Sequence, residues 1–163
     1  MYQPYPGSDT QLPETQRQPA PASVLNAVKV MYVGAAASLL GIVIDIVTVS
    51  ATKTAIEKRS PDLSASQVNS TQHVLIAGFI AGGVIAAAVW IVLARACRRG
   101  HNWARITGTV LFGLSTVDTL VGLTVPLAAL VKIWALVVWL VALAAVVFLW
   151  RRESSAFFRQ AQR

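Results

Sequence analysis

The sequence predicts an all-α membrane protein: an antiparallel four-helix transmembrane bundle, up-down-up-down, with a disordered amino-terminal tail. Three observations predict it. Of 163 residues, 55% are hydrophobic and only 13% charged, against about 25% charged in a soluble domain. The apolar residues fall in four runs, each of about twenty residues, the length at which a helix crosses a hydrocarbon core of about 30 Å. The runs do not alternate with period two, which excludes a barrel, the other architecture that satisfies its backbone in lipid.

Each element follows in order. Residues 1–23, MYQPYPGSDTQLPETQRQPAPAS, are rich in Pro and Gln and lack an apolar period. Such a stretch buries too little surface to offset its ordering entropy, so it reads as a disordered cytoplasmic tail. A polar, proline-bearing leader is not a signal peptide, and Val49-Ser50-Ala51 is only a loose cleavage site after too long an apolar run, so the first span is expected to be retained. The transmembrane domain covers 24–152, with spans at 30–49, 74–94, 106–125 and 133–150. In the outer loop, 51–73, Pro61 should end any continuation of the first helix. Ser64-Ala65-Ser66-Gln67 has the form of a capping box that starts the second helix before it enters the membrane, making this loop a compact helical elbow. Asn69-Ser70-Thr71 matches the glycosylation pattern, a short and common motif that matters only in a secretory-pathway membrane.

The net charge of +7 is read by position. Arg95, Arg98, Arg99 and Arg105 lie in the inner loop, 95–105, and Arg151 and Arg152 follow the fourth span. Arg159 and Arg163 lie in a cytoplasmic basic tail, 153–163. Basic residues flanking spans mark the cytoplasmic side, so both termini are expected inside a plasma membrane, with Lys29 as a further inner anchor and Trp103 and Trp150 at the inner boundary. This distribution accounts for the charge without a nucleic-acid partner. Cys97 is the single cysteine, which excludes an intrachain disulfide and a C-x-x-C redox motif.

The chain resembles the uncharacterised small four-span integral membrane proteins of actinobacteria. The resemblance rests on the Pro/Gln-rich amino-terminal tail, Ser60-Pro61-Asp62-Leu63-Ser64, Arg98-Arg99-Gly100-His101-Asn102-Trp103-Ala104-Arg105, Leu149-Trp150-Arg151-Arg152 and Ser154-Ser155-Ala156-Phe157-Phe158. It covers most of the chain after residue 23. It implies the topology and a bacterial plasma membrane, and it implies no activity. In that setting the Asn69 sequon is incidental.

The candidate site starts from two acids, Asp45 and Asp118, each the only charged residue of its span. A carboxylate at such depth costs roughly 2.5–3.5 kcal/mol on insertion scales, so the fold must compensate it. On the first helix Gly34, Ser38, Gly41, Asp45 and Thr48 share one face, and on the third Gly108, Leu111, Ser115, Asp118 and Gly122 do the same. Small and polar residues face protein in membranes, so both acids should point into the bundle. Gly78-x-x-x-Gly82 on the second helix, followed by Ala86, is expected to pack closely within the monomer, with a dimer face as the sharper reading. A hairpin with its apex at Val125-Pro126 puts Asp118 and Lys132 at similar height, about 10 Å below the apex, and Asp45 about 8 Å in from Ser50. The expected cluster is therefore Asp45, Asp118 and Lys132, with His73 at its rim. In the alternative, Lys132 snorkels to the headgroups and each acid bonds to Ser, Thr or backbone groups to lock the helices. Arg95, Arg98, Arg99, Arg105, Arg151 and Arg152 are candidate contacts for anionic lipid headgroups, and Phe157-Phe158 beside Arg159 a candidate interfacial segment. Trp139 reads as a packing residue.

No Cys/His cluster has metal-ligand spacing, and there is no nucleophile elbow, phosphate-binding glycine loop or H-E-x-x-H. Neither an enzyme nor a cofactor is expected. The expected function is a non-enzymatic accessory or scaffold component of the plasma membrane, binding lipid and a membrane protein partner or a second copy of itself. The alternative is a small transporter or channel subunit that uses Asp45 and Asp118 as a proton or cation site and needs oligomerisation or partner helices to form a path.

Overall fold

In the computed structural model the described residues are 19–59, 64–125 and 127–160. They form six helices: α1 (Ala22–Val47), α2 (Val49–Arg59), α3 (Ala65–Arg98), α4 (Asn102–Thr124), α5 (Ala129–Leu149) and α6 (Arg152–Gln160). There is no strand among the described residues. Four helices, α1, α3, α4 and α5, are long and apolar enough to cross a membrane, and the chain is a multi-pass membrane protein. The expected disorder of the tail up to residue 18, and the role given to Pro61, lie outside the described residues.

The first helix starts eight residues before the expected span. Pro21, with φ −62° and ψ 158°, precedes it and accepts a bond from the Leu25 amide at 3.1 Å. The extra turns are held by packing: Ser23, Val24, Ala27 and Val28 are all buried. At Thr48 the backbone leaves helical geometry (φ −92°, ψ 6°), and α2 continues beyond the break to pack against α3. The capping box at the start of α3 is formed: the Gln67 amide donates to Ser64 Oγ at 3.4 Å, and the Ser64 amide donates to Gln67 Oε1 at 2.9 Å. With 34 residues, α3 is about 51 Å long at 1.5 Å per residue. It therefore outruns the hydrocarbon core, and with α2 it builds the elbow at the end of the bundle away from most of the arginines.

The α3–α4 turn is a Schellman motif. The Gly100 amide donates to the Cys97 carbonyl at 3.0 Å and the His101 amide to the Ala96 carbonyl at 3.1 Å, which occupies carbonyls that a helix end leaves free. Gly100 takes φ +81° there, a region open to glycine at no steric cost.

The spanning helices pack in the order α3, α1, α5, α4, with α1 as the strut between α3 and α5. Aromatic side chains set this order. Trp90 of α3 lies against Gly34 of α1, so close that a Cβ there would be 2.7 Å from its ring. Trp134 of α5 lies over Gly41 and donates to the Ala37 carbonyl at 3.2 Å. Trp139 donates to Thr116 Oγ1 of α4 at 2.9 Å and packs on Phe112 with ring centroids 5.6 Å apart. Apolar residues such as Val33, Val84, Leu114 and Leu140 face outward and are exposed, as lipid-facing positions are.

The best-packed core sits at the basic end, among Val24, Val28, Met31, Leu93, Cys97 and Leu149. Helix α6 closes it, which corrects the reading of 153–163 as a basic tail. Glu153 in its first turn and Arg159 in its last suit the helix dipole. Its Phe158 is 1% exposed, inside the core and not in the membrane interface. Ser154 Oγ donates to the Phe148 carbonyl at 2.8 Å and lies 2.9 Å from Ser23 Oγ, whose hydroxyl it can accept. Arg105 is drawn into the same corner. Its guanidinium stacks on Trp150 at 3.9 Å and leaves it 8% exposed, so Arg105 is a packing residue and not a free headgroup contact. Arg95, Arg98, Arg99, Arg151 and Arg152 are exposed.

Candidate intramembrane cation site

Three close approaches hold α1: Trp90 on Gly34, Trp134 on Gly41, and Ile42 on Gly83 of α3. At Gly83 a Cβ would meet Ile42 Cγ1 at 2.5 Å and the Ser38 carbonyl at 3.3 Å. The tight α1–α3 contact therefore falls at Gly83 and not at Gly78 or Gly82, whose Cβ positions have nothing within 4 Å. This corrects the packing role expected of the G-x-x-x-G pair. The signal for Gly83 is present in the sequence: Gly83, Ala87, Trp90, Ala94 and Cys97 recur at helical spacing on one face of α3, and Ala87, Ala94 and Cys97 are buried.

With α3 turned so that Gly83 faces α1, the side bearing Gly78 and Gly82 is left without a neighbour. Helices α3 and α4 meet near the turn that joins them, where Leu93 lies 3.8 Å from the Cβ position of Gly108. Beyond it they part, and a cavity of about 590 Å³ lies between α3 and α4 with α1 and α5 as its back wall. Phe79 and Trp90 of α3, Phe112 of α4, and Trp134 and Trp139 of α5 contribute aromatic walls. Asp45 enters from α1 and Asp118 from α4. The small-residue stripes thus bring the two acids, 73 positions apart in the sequence, to one space.

Neither carboxylate has a hydrogen-bond or ion-pair partner among the described residues. The nearby hydroxyls serve their own helices: Ser38 Oγ donates to the Gly34 carbonyl at 2.9 Å and Ser115 Oγ to the Phe112 carbonyl at 2.9 Å. Thr48 Oγ1 donates to the Ile44 carbonyl at 2.7 Å. Lys132 is not in the cavity wall. Its Nζ donates to the Leu123 carbonyl at 2.8 Å, filling one of the acceptors left at the end of α4. The reason is depth. Asp118 lies six residues inside the end of α4 and Lys132 three inside the start of α5, so the lysine is about 4.5 Å nearer the turn. His73 is exposed in the first turns of α3, and it is not among the residues of the cavity wall.

The arrangement offers two carboxylates with free oxygens in an apolar, aromatic space inside the spanning region. Such a space can hold a cation or exchange protons. Among the described residues no group of three or more His, Cys, Asp or Glu side chains is placed to hold a metal ion. At the basic end the structure gathers three separated stretches, 98–105, 149–152 and 154–158, into one junction through Arg105, Trp150 and Phe158. Comparison with known proteins adds nothing to this geometry: no family model, curated protein or solved structure matches the chain.

Proposed function

We propose that this multi-pass membrane protein is a small, non-enzymatic transport protein or transport subunit of the plasma membrane that binds a cation at Asp45 and Asp118. The observation that carries this reading is the pair of carboxylates from different helices in one cavity without a protein partner. Acids that served only to lock helices would be expected to spend their oxygens on Ser, Thr, Lys or backbone groups of a neighbouring helix. Intramembrane acids facing a cavity are also a recurrent mark of ion and substrate paths. Both termini lie on the cytoplasmic side by the arginine distribution. Because the cavity is open on one side, a complete path requires a second copy or a partner helix to face α3 and α4.

The test is flux in proteoliposomes under an imposed proton or potassium-diffusion gradient. Cation or proton movement that is lost in Asp45→Asn and Asp118→Asn supports the reading. Flux equal to empty vesicles, or unchanged in both variants, rejects it.

An accessory or scaffold role is the second reading, favoured by one observation. The outer face of α4 is unpacked: no residue of its apolar window is buried, and Gly113 has nothing within 4 Å of a Cβ position. Small residues admit close helix approach in lipid, so this face suits a partner helix. Co-purification of one dominant membrane protein in mild detergent, lost on Gly113→Leu, supports this role; a monomer that retains flux argues against it.

A further inference from the structure

The cavity differs from an inorganic ion site in ways that point to its ligand. A metal cation stripped of water needs several oxygens, six to eight for calcium and six for magnesium. Here, among the described residues, the side-chain oxygens of the wall that make no bond within the protein are the two carboxylates and the Thr119 hydroxyl, and most of the remaining wall is apolar or aromatic. The volume of about 590 Å³ falls in the range of about 300–1,000 Å³ typical of small-molecule pockets. Trp134 and Trp139 have already spent their indole N–H groups on Ala37 and Thr116. They therefore turn ring surface, and no donor, toward the space, and aromatic faces attract organic cations. An anion would meet two like charges, against which the wall sets only the Trp90 indole N–H and the Thr119 hydroxyl as uncommitted donors. The open side lies between α3 and α4, among outward apolar residues such as Val84 and Leu114, so access runs from the lipid.

We propose that this cavity binds a lipophilic organic cation, an ammonium or phosphonium carrying alkyl or aromatic groups, which enters from the bilayer between α3 and α4 and places its charge against Asp45 and Asp118. The proposal rests on the cation-site reading and names its substrate class. Glycines Gly78 and Gly82 are what keep the volume open: each replaces a side chain that would project into the cavity.

The experiment uses the full chain in phosphatidylcholine nanodiscs, with tetraphenylphosphonium as probe and tetraphenylborate, of similar shape and opposite charge, as control. Binding is measured by equilibrium dialysis against empty nanodiscs. The expected result is saturable binding of the phosphonium and none of the borate. Asp45→Asn and Asp118→Asn should each weaken binding by at least about tenfold, while Asp45→Glu and Asp118→Glu retain most of it. Gly82→Leu fills the cavity without displacing a neighbour, so it should abolish binding with unchanged helicity and melting. It keeps the test decisive if an asparagine variant misfolds. Equal binding of borate and phosphonium, or phosphonium binding unaffected by Gly82→Leu and both asparagine variants, overturns the proposal in favour of partition into lipid. Proton or sodium flux that depends on the aspartates, without phosphonium binding, overturns the substrate class and leaves the cation site standing. Absence of both overturns the two together.

Discussion

Gly34 and Gly82 are both glycines in the middle of spanning helices, and the structure assigns them opposite sensitivities. At Gly34 an alanine Cβ would sit 2.7, 2.9 and 3.0 Å from three atoms of the Trp90 indole. The indole cannot move away easily, because Trp90 is packed against the core at the basic end. Overpacking of this kind costs about 1–3 kcal/mol. At Gly82 the added methyl meets nothing within 4 Å, so no steric cost arises. Both substitutions gain the same helix propensity, about 0.5–1 kcal/mol, which cancels in a comparison. Gly34→Ala should therefore be less stable than Gly82→Ala by about 1–3 kcal/mol. Unfolding by increasing mole fraction of sodium dodecyl sulfate, followed by tryptophan fluorescence, gives the difference directly. If Gly34→Ala proves as stable as Gly82→Ala, the α1–α3 contact is not where the structure puts it, and the cavity that depends on that rotation goes with it.

Gly100→Ala forces a Cβ into the left-handed region at φ +81°, and should lower stability by about 1–2 kcal/mol, with Gly100→Asn losing less; thermal melts rank the two. Phe158→Ala removes the largest fully buried side chain and should cost about 3–5 kcal/mol. Because Cys97 lies in the same core and is 0% exposed, that variant should also become reactive to a maleimide that leaves the native protein unlabelled. Trp139→Phe and Thr116→Val each break the 2.9 Å bond between α5 and α4. The double variant should cost less than the sum of the singles by about 0.5–1.5 kcal/mol, and an additive cycle would show that this bond does not hold the pair.

Much of the architecture was legible in local sequence. Hydropathy located all four spans, because a bilayer imposes one length on each. The Ser64–Gln67 capping box was legible because its two bonds join residues three apart. Asp45 and Asp118 both line the cavity, on the helix faces that their small residues mark. The site was misjudged where the reasoning passed from one helix to two. Gly78 and Gly82 carry the better-known spacing, yet Gly83 makes the contact, because Trp90 fits the gap at Gly34 and that fit sets the rotation of α3. Lys132 was paired with Asp118 by counting from a symmetric apex, but the free carbonyl of Leu123 was the nearer partner. Arg105 reads as one more inner arginine, and only the docking of α6 under the bundle, through Ser154 and Phe158, explains why it stacks on Trp150.

By itself, then, the sequence determined the class of molecule, the number of its long apolar helices and the helix faces that carry the acids. These depend on the lipid solvent and on residues within a turn or two of one another. The tertiary structure decided the order α3, α1, α5, α4, the opening between α3 and α4, and the absence of a lysine from the acidic cavity. Those outcomes depend on which side-chain volumes meet across helices, Trp90 on Gly34 and Trp134 on Gly41 above all, and such complementarity has no periodicity along a single chain.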